Sequence, residues 1–240
     1  LELNLKTWTS KKKKAQKKAK RSVGRRNLDH SPSQEVKTNI VKVAKRHFAV
    51  HGFQGASLKE ISKESDVAPS LLNYHFKDKT GLFNFCLDEF SQPWGERMDR
   101  ILVEPQNLDE FRVRLELFVG EVAHLVINES EIFAIVKREM GTQLPHVVRV
   151  FENTIAPSFN KTVRFFKQAQ ANHLVRPEFN PQLLAKLIFD IAAESFNMDE
   201  TCNALMGKTV SDKKFLSEMI DHIIEIFCKG ILPHDKKSSL

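Results

Sequence analysis

The chain has 240 residues, with 37 Lys+Arg against 30 Asp+Glu and a formal net charge of +7. No window approaches the ~20 apolar residues that a membrane span needs, and no apolar stretch follows the basic N-terminus as a secretory signal requires. Three scattered cysteines, Cys86, Cys202 and Cys228, exclude a disulfide scaffold or a CxxC metal site and fit a reducing compartment. The charge is unevenly spread. Residues 1–33 hold 11 basic and two acidic side chains (net +9), residues 34–80 hold eight and five (net +3), and residues 81–240 hold 18 and 23 (net −5). That asymmetry points to a polyanion met by the N-terminal third.

Residues 1–33 contain the run Lys11 to Lys14, Lys17, Lys18, Lys20 and Arg21 and have almost nothing apolar to bury. Such a segment cannot offset its own ordering entropy, so a disordered tail is expected. It reads either as a solubilising segment or as an arm that neutralises nucleic-acid phosphates without regard to sequence.

From residue 34 the pattern is helix after helix. Ile40, Val43, Ala44, His47 and Phe48 recur at i, i+3, i+4, i+7 and i+8, one face of an amphipathic helix that Gly52 ends. Ser57-Leu58-Lys59-Glu60 is a capping-box pattern opening a short helix with Leu58 and Ile61 inward, ending near Ser65-Asp66. Pro69 suits the first turn of another short helix running to about His75, and Asp78 suits the N-cap of a long helix carrying Leu82 and Phe83. Two short helices propped on a longer first one define a helix-turn-helix, here with Asp66 near the place of the usual turn glycine.

Several runs carry a more specific likeness. They are Ala44-Lys45-Arg46-His47-Phe48, His51-Gly52-Phe53, Ser57-Leu58-Lys59-Glu60-Ile61, Leu72-Asn73-Tyr74-His75-Phe76 and Lys77-Asp78-Lys79-Thr80-Gly81-Leu82. Residues 36–85 thereby resemble the DNA-binding domain of the TetR (tetracycline repressor) family. The resemblance implies an all-α chain: a basic tail over 1–33, a three-helix helix-turn-helix DNA-binding domain over 34–80, and a helical ligand-binding and dimerisation domain over 81–240. It also implies a bacterial cytosolic protein, free of membrane, that acts on a double-stranded DNA operator.

Residue chemistry supports DNA contact independently. Asn73 can read adenine bidentately, Ser70 can bond either base edge, and Leu71 can touch a thymine methyl. Tyr74, His75 and Lys79 suit phosphate, Lys79 lying in the first turn of its helix, and Lys59 suits base or phosphate. Asn73 stands where the family commonly carries tyrosine, so the operator preference does not carry over.

The acidic remainder reads as further helices. Phe111, Leu115, Phe118, Val119, Val122, Leu125 and Val126 form one stripe, a shorter segment covers about 131–140, and one from about 145 to 172 contains Pro157, expected to kink or break it. The widest stripes come last: Leu184, Leu187, Ile188 and Ile191, then Leu216, Met219, Ile220, Ile223, Ile224 and Phe227, with Gly230 and Pro233 as stops. Such stripes pack either inside one subunit or against a second. The resemblance implies a four-helix homodimer interface, and dimerisation would double the bases read. It also implies a pocket for an unknown small-molecule effector. Phe111, Phe118, Phe133, Phe165, Phe166 and Phe189 are candidates for its walls, and His124, Asn128, Glu139, His146, His173, Asp190, Glu194 and Asn197 for its polar groups.

An enzyme is the rival class. Gly207-Lys208-Thr209 mimics the end of a phosphate-binding loop, but Cys202 stands where its first glycine belongs, and no other catalytic, cofactor or metal motif occurs. No cofactor is expected. The reading is a dimeric, ligand-responsive transcriptional repressor; the alternative is a nonspecific architectural DNA binder without a ligand, for which the tail would dominate.

Overall fold

A computed structural model describes residues 32–139, 152 and 155–232. The expectations for the basic tail before Pro32, for His146 and for Pro233 lie outside the described residues. By contact the chain divides into Leu1–Glu35, of which only residues 32–35 are described, as helix, and Val36–Leu240. Among the described residues the secondary structure is helical, without strands.

The N-terminal helices are α1 (Pro32–Gly55), α2 (Leu58–Glu64), α3 (Pro69–Phe76) and α4 (Lys79–Ile101). Ile40, Val43, Ala44 and Phe48 are buried as their spacing predicts. Gly52 has φ +69°, a kink within α1 that only glycine adopts without strain. The capping box at Ser57 does not form: Ser57 is the N-cap residue, but its hydroxyl makes no cap hydrogen bond. Its carbonyl does accept from Ile61 N–H at 3.0 Å. Asp78 behaves as predicted, its Oδ1 accepting from Gly81 N–H at 2.8 Å.

The α2–α3 turn is held by side chains that periodicity does not single out. Asp66 takes the left-handed conformation (φ +55°) that the missing glycine would supply. The buried Ser62 hydroxyl donates to the Val67 carbonyl at 2.6 Å, and the buried Ser65 hydroxyl to the Ile61 carbonyl at 2.6 Å. Asn39 of α1 donates to the Ser65 carbonyl at 2.9 Å. These bonds satisfy polar groups that the tight turn removes from water. Gly81 fixes the next joint, because a Cβ there would stand 2.0 Å from the Phe76 carbonyl oxygen.

The helices α5 (Leu108–Asn128), α6 (Ser130–Glu139), α7 (Ala156–Ala171), α8 (Pro181–Asn197), α9 (Asp199–Met206) and α10 (Lys213–Ile231) follow. The α4 helix runs through the expected boundary at residue 80 and enters this second region, packing on α5, α6 and α7. The α5 helix buries its whole predicted stripe and touches α8 and α10, and α8 also packs on α7. The helix containing Pro157 begins at Ala156, and most of the expected segment before it lies outside the described residues. Pro157 sits in the first turn of α7, where its missing N–H costs nothing. The α10 helix passes through Gly230 and ends at Ile231.

Phe111, Phe165 and Phe166 form a buried cluster, Phe111 and Phe165 lying parallel at 5.4 Å between centroids, with Phe227 of α10 at 6.1 Å from Phe166. These three rings are core and not cavity wall.

Candidate nucleic-acid interface and sensor cavity

The α3 helix divides cleanly into two faces. Leu72 and Phe76 are buried against the rest of the head, while Ser70, Leu71, Asn73 and Tyr74 are exposed, Tyr74 at 81%. Pro69 starts the helix and the turn above fixes its approach, so the exposed face is presented by a braced element. Lys59 is exposed on α2, and His75 is half-buried with its ring 5.3 Å from that of Tyr74. Lys79 is already engaged: its Nζ donates to the Gln54 carbonyl at 2.9 Å and lies 5.0 Å from the Phe53 ring centroid. Burial lowers the pKa of this ammonium. One of its three donors thus closes the α1 C-terminus onto α4, leaving two for an outside acceptor.

Glu64 completes the brace. Its carboxylate accepts from His47 Nε2 at 2.6 Å and from Arg46, tying the last residue of α2 to α1. The His47 hydrogen bond, opposed by partial desolvation and aided by the Arg46 charge, holds its pKa below the ordinary value.

In the second region a cavity of about 360 Å³ lies among α4 to α8. Phe118, Phe133, Phe189, Asp190 and Glu194, named as pocket candidates, line this cavity. His124, Asn128, His173 and Asn197 do not: all four are exposed. Phe166 is absent from the lining because it is locked in the aromatic core. Phe90 and Trp94 of α4 and Phe159 of α7 are walls that sequence reasoning missed. Phe90 and Trp94 continue the α4 stripe of Phe83 and Leu87 at helical spacing, a signal visible beyond the fifty-residue motif.

The cavity's deep polar groups already have partners. Trp94 Nε1 donates to Ser158 Oγ at 2.9 Å, and Thr162 donates to the Ser158 carbonyl at 3.0 Å. Its charged groups stand at the opening as pairs: Lys137 with Glu194 at 2.7 Å, and Lys186 with Asp190. The site therefore offers apolar area, aromatic faces and a charge-balanced rim.

Glu139 is buried, but against the head. Its Oε1 accepts from Phe53 N–H at 3.0 Å, while the neighbouring Arg138 donates to the Val50 carbonyl at 2.8 Å. The α6 helix thus carries cavity walls at Phe133, Val136 and Lys137 and, within two turns, grips the end of α1.

The predicted dimer stripes divide. Leu184, Ile188, Ile224 and Phe227 are buried within the subunit, and Leu216, Met219, Ile220 and Ile223 are half-buried. Leu187 and Ile191 are exposed, as are Leu183 and Ile226, which the prediction omitted. Each stripe is wider than the subunit's own packing uses, and one edge of each stays uncovered. Gly207, which opened the phosphate-loop mimic, is the left-handed C-cap of α9 (φ +63°).

The described helices thus form a helix-turn-helix head continuous with a helical region that encloses a cavity. Residues 40–85 match the family model described as "Bacterial regulatory proteins, tetR family". The chain is 27% identical over 106 residues to the "Probable HTH-type transcriptional regulator YttP" of Bacillus subtilis, covering 43% of this chain and 50% of that protein. The chain therefore spans about half the length of that relative. It is 22% identical over 159 residues to the HTH-type transcriptional regulator UidR of Escherichia coli K12, covering 66% of this chain and 79% of UidR. Its fold matches FadR of Bacillus subtilis, solved with stearoyl-CoA, at a TM-score of 0.62 and 14% identity, covering 80% of this chain and 98% of that one.

Proposed function

We propose that the chain is a dimeric transcriptional repressor that reads one operator half-site with α3 of each subunit and leaves the operator when a small apolar molecule fills the cavity. The observation that carries the reading is the division of α3. Ser70, Leu71, Asn73 and Tyr74 stand free on a helix whose opposite side is pinned, which is the arrangement major-groove readout needs. Lys59 of α2, and His75 and Lys79 beside α3, are proposed to hold phosphate. The uncovered edges of α8 and α10 supply the two-fold contact, since one eight-residue helix reads too few base pairs alone.

Release follows from the grip of α6. A ligand that moves Phe133 or Lys137 moves Arg138 and Glu139, and with them the end of α1. Ligand then favours conformers whose heads are wrongly spaced for the operator. FadR, a protein of similar fold, has been solved with stearoyl-CoA, whose acyl chain is apolar.

Selection from random duplex oligonucleotides tests the reading. A palindromic consensus with a specificity ratio of roughly 10³ or more over random DNA is the expected result. Equal affinity for all duplexes would make the protein a nonspecific binder and end the proposal.

A further inference from the structure

The joint between α3 and α4 holds a backbone conformation that its residue types do not favour. Lys77, the residue after α3, has φ +67° and ψ −58°. Its two neighbours close across it, Asp78 N–H donating to the Phe76 carbonyl at 2.8 Å. Those angles and that bond define a γ-turn of the rare, strained kind. Both flanks hold it in place. Asp78 caps α4 through Gly81 N–H, and the Phe76 carbonyl oxygen sits where a Cβ on residue 81 would meet it.

Glycine adopts a positive φ without strain, whereas a side chain at such a position destabilises the fold. Among the described residues two other non-glycine positions share the sign, Asp66 and His173. Both are of types that tolerate it. Lysine is not, so the lysine at 77 needs a use that offsets the strain. The subunit itself supplies none beyond a charge at the end of α3. Lys77 is exposed, and its ammonium makes no hydrogen bond or ion pair among the described residues.

Its place in the head supplies one. Lys77 N–H donates to the Asn73 carbonyl at 2.8 Å, so its backbone stands one turn beyond Asn73, past the exposed Ser70 and Asn73. A helix that enters the major groove leaves it at the sugar–phosphate backbone, where a cation fixes register. Two residues on, Lys79 is fixed by its side chain, Nζ donating to the Gln54 carbonyl at 2.9 Å. Lys77 is fixed by its main chain instead, with all three donors open.

We propose that Lys77 is a further phosphate contact of the operator complex, held ready by the strained turn. This rests on the repressor reading above and adds to its interface a residue that charge and helix pattern do not single out. Two effects of opposite sign meet at one residue: the conformation counts against Lys77 in folding, and the ammonium counts for it in binding.

The test uses full-length variants and the operator selected from random duplexes. In Lys77→Gly the strain and the cation both go. Relief of strain, less the entropy that glycine adds to the unfolded chain, should raise the melting temperature by up to about 4 °C. Operator affinity should fall about tenfold, alike for the consensus and its single-base variants, with about one unit lost from the salt slope. Lys77→Arg should restore affinity and slope. Lys77→Gln keeps the strain and loses the charge, so it should bind as weakly as Lys77→Gly without the gain in melting temperature. Wild-type affinity in Lys77→Gln would overturn the contact, and a melting temperature lowered in that variant would then assign the lysine to the α3 C-terminal dipole. A shifted consensus in Lys77→Gly would make Lys77 a base reader and overturn the phosphate assignment. A melting temperature lowered in Lys77→Gly would overturn the strained turn. A wild type without sequence-specific binding would end the repressor reading itself, and this proposal with it.

Discussion

The proposed DNA-binding head and the proposed sensor region solve the burial problem in different ways. The head is small, and much of its definition is polar: Ser62, Ser65, Asn39, Asp78 and Glu64 each fix a turn or a helix end through a hydrogen bond. The sensor is larger and defined by aromatic packing, with Phe111, Phe165 and Phe166 in contact and a cavity left beside them. A head that must present one rigid face benefits from directional bonds. A region that admits a ligand, as proposed, benefits from apolar contacts that can rearrange at modest cost.

The largest expected effect separates core from cavity within the sensor. Phe165→Ala removes a fully buried ring and should destabilise by roughly 3–5 kcal/mol. Phe133→Ala removes a ring that already borders empty space, so it should cost clearly less and act mainly on binding of an uncharged probe such as N-phenyl-1-naphthylamine. Denaturant unfolding of both variants makes the comparison, and equal losses would mean the cavity wall is ordinary core.

Gly81→Ala tests the head in the same terms. The added methyl meets the Phe76 carbonyl oxygen, a backbone atom that cannot rotate away, so the α3–α4 joint must open. A loss of roughly 1–3 kcal/mol is expected, together with a larger fall in operator affinity because α3 itself is displaced. Unchanged affinity on gel shift would show that the joint does not position the reading face.

The link between the regions comes next in size. Glu139→Ala takes away the carboxylate to which Phe53 N–H donates, at a cost of about 1–3 kcal/mol. Its sharper readout is orientation. On a series of operators with half-sites moved apart one base pair at a time, the variant should tolerate spacings the wild type rejects. A spacing profile as steep as the wild type's would place the coupling elsewhere.

Much of the head was legible because its rules are local. Ile40 to Phe48, Pro69 and Asp78 announce a stripe, a first turn and a cap within a few residues, and all three are found. The turn was less legible, since Asp66 tolerates the left-handed conformation better than most residues but signals it far less strongly than glycine, and the buried Ser62 and Ser65 depend on a fold already formed. In the sensor, stripe positions were readable but their destinations were not. Phe118 and Phe166 are the same residue type at helical spacing, yet one lines a cavity and the other is sealed, a difference made by which helices cross above them. The stripes of α8 and α10 show the same limit: their width was visible, but which edge the subunit covers depends on the rotation of the two helices about their axes.

The smallest expected effect concerns acid and sharpens the polar side of the comparison. In the folded head Glu64 keeps its proton affinity low, chiefly through the His47 hydrogen bond, against an ordinary value of 4.5. Above that value both folded and unfolded states carry the carboxylate ionised, and the brace contributes fully. As pH falls through 4.5 toward the depressed folded value, the unfolded chain takes up the proton first, so stability is progressively lost. Glu64→Gln has no such proton to bind. Its melting temperature should start lower near neutral pH and decline less steeply below about pH 4.5. Because Glu64 is open to solvent, the difference should also shrink as salt is added, unlike the losses from Phe165→Ala. Parallel melting curves for Glu64→Gln and wild type across the acid range would remove this carboxylate from the brace and leave Ser62, Ser65 and Asn39 to hold α2 in place.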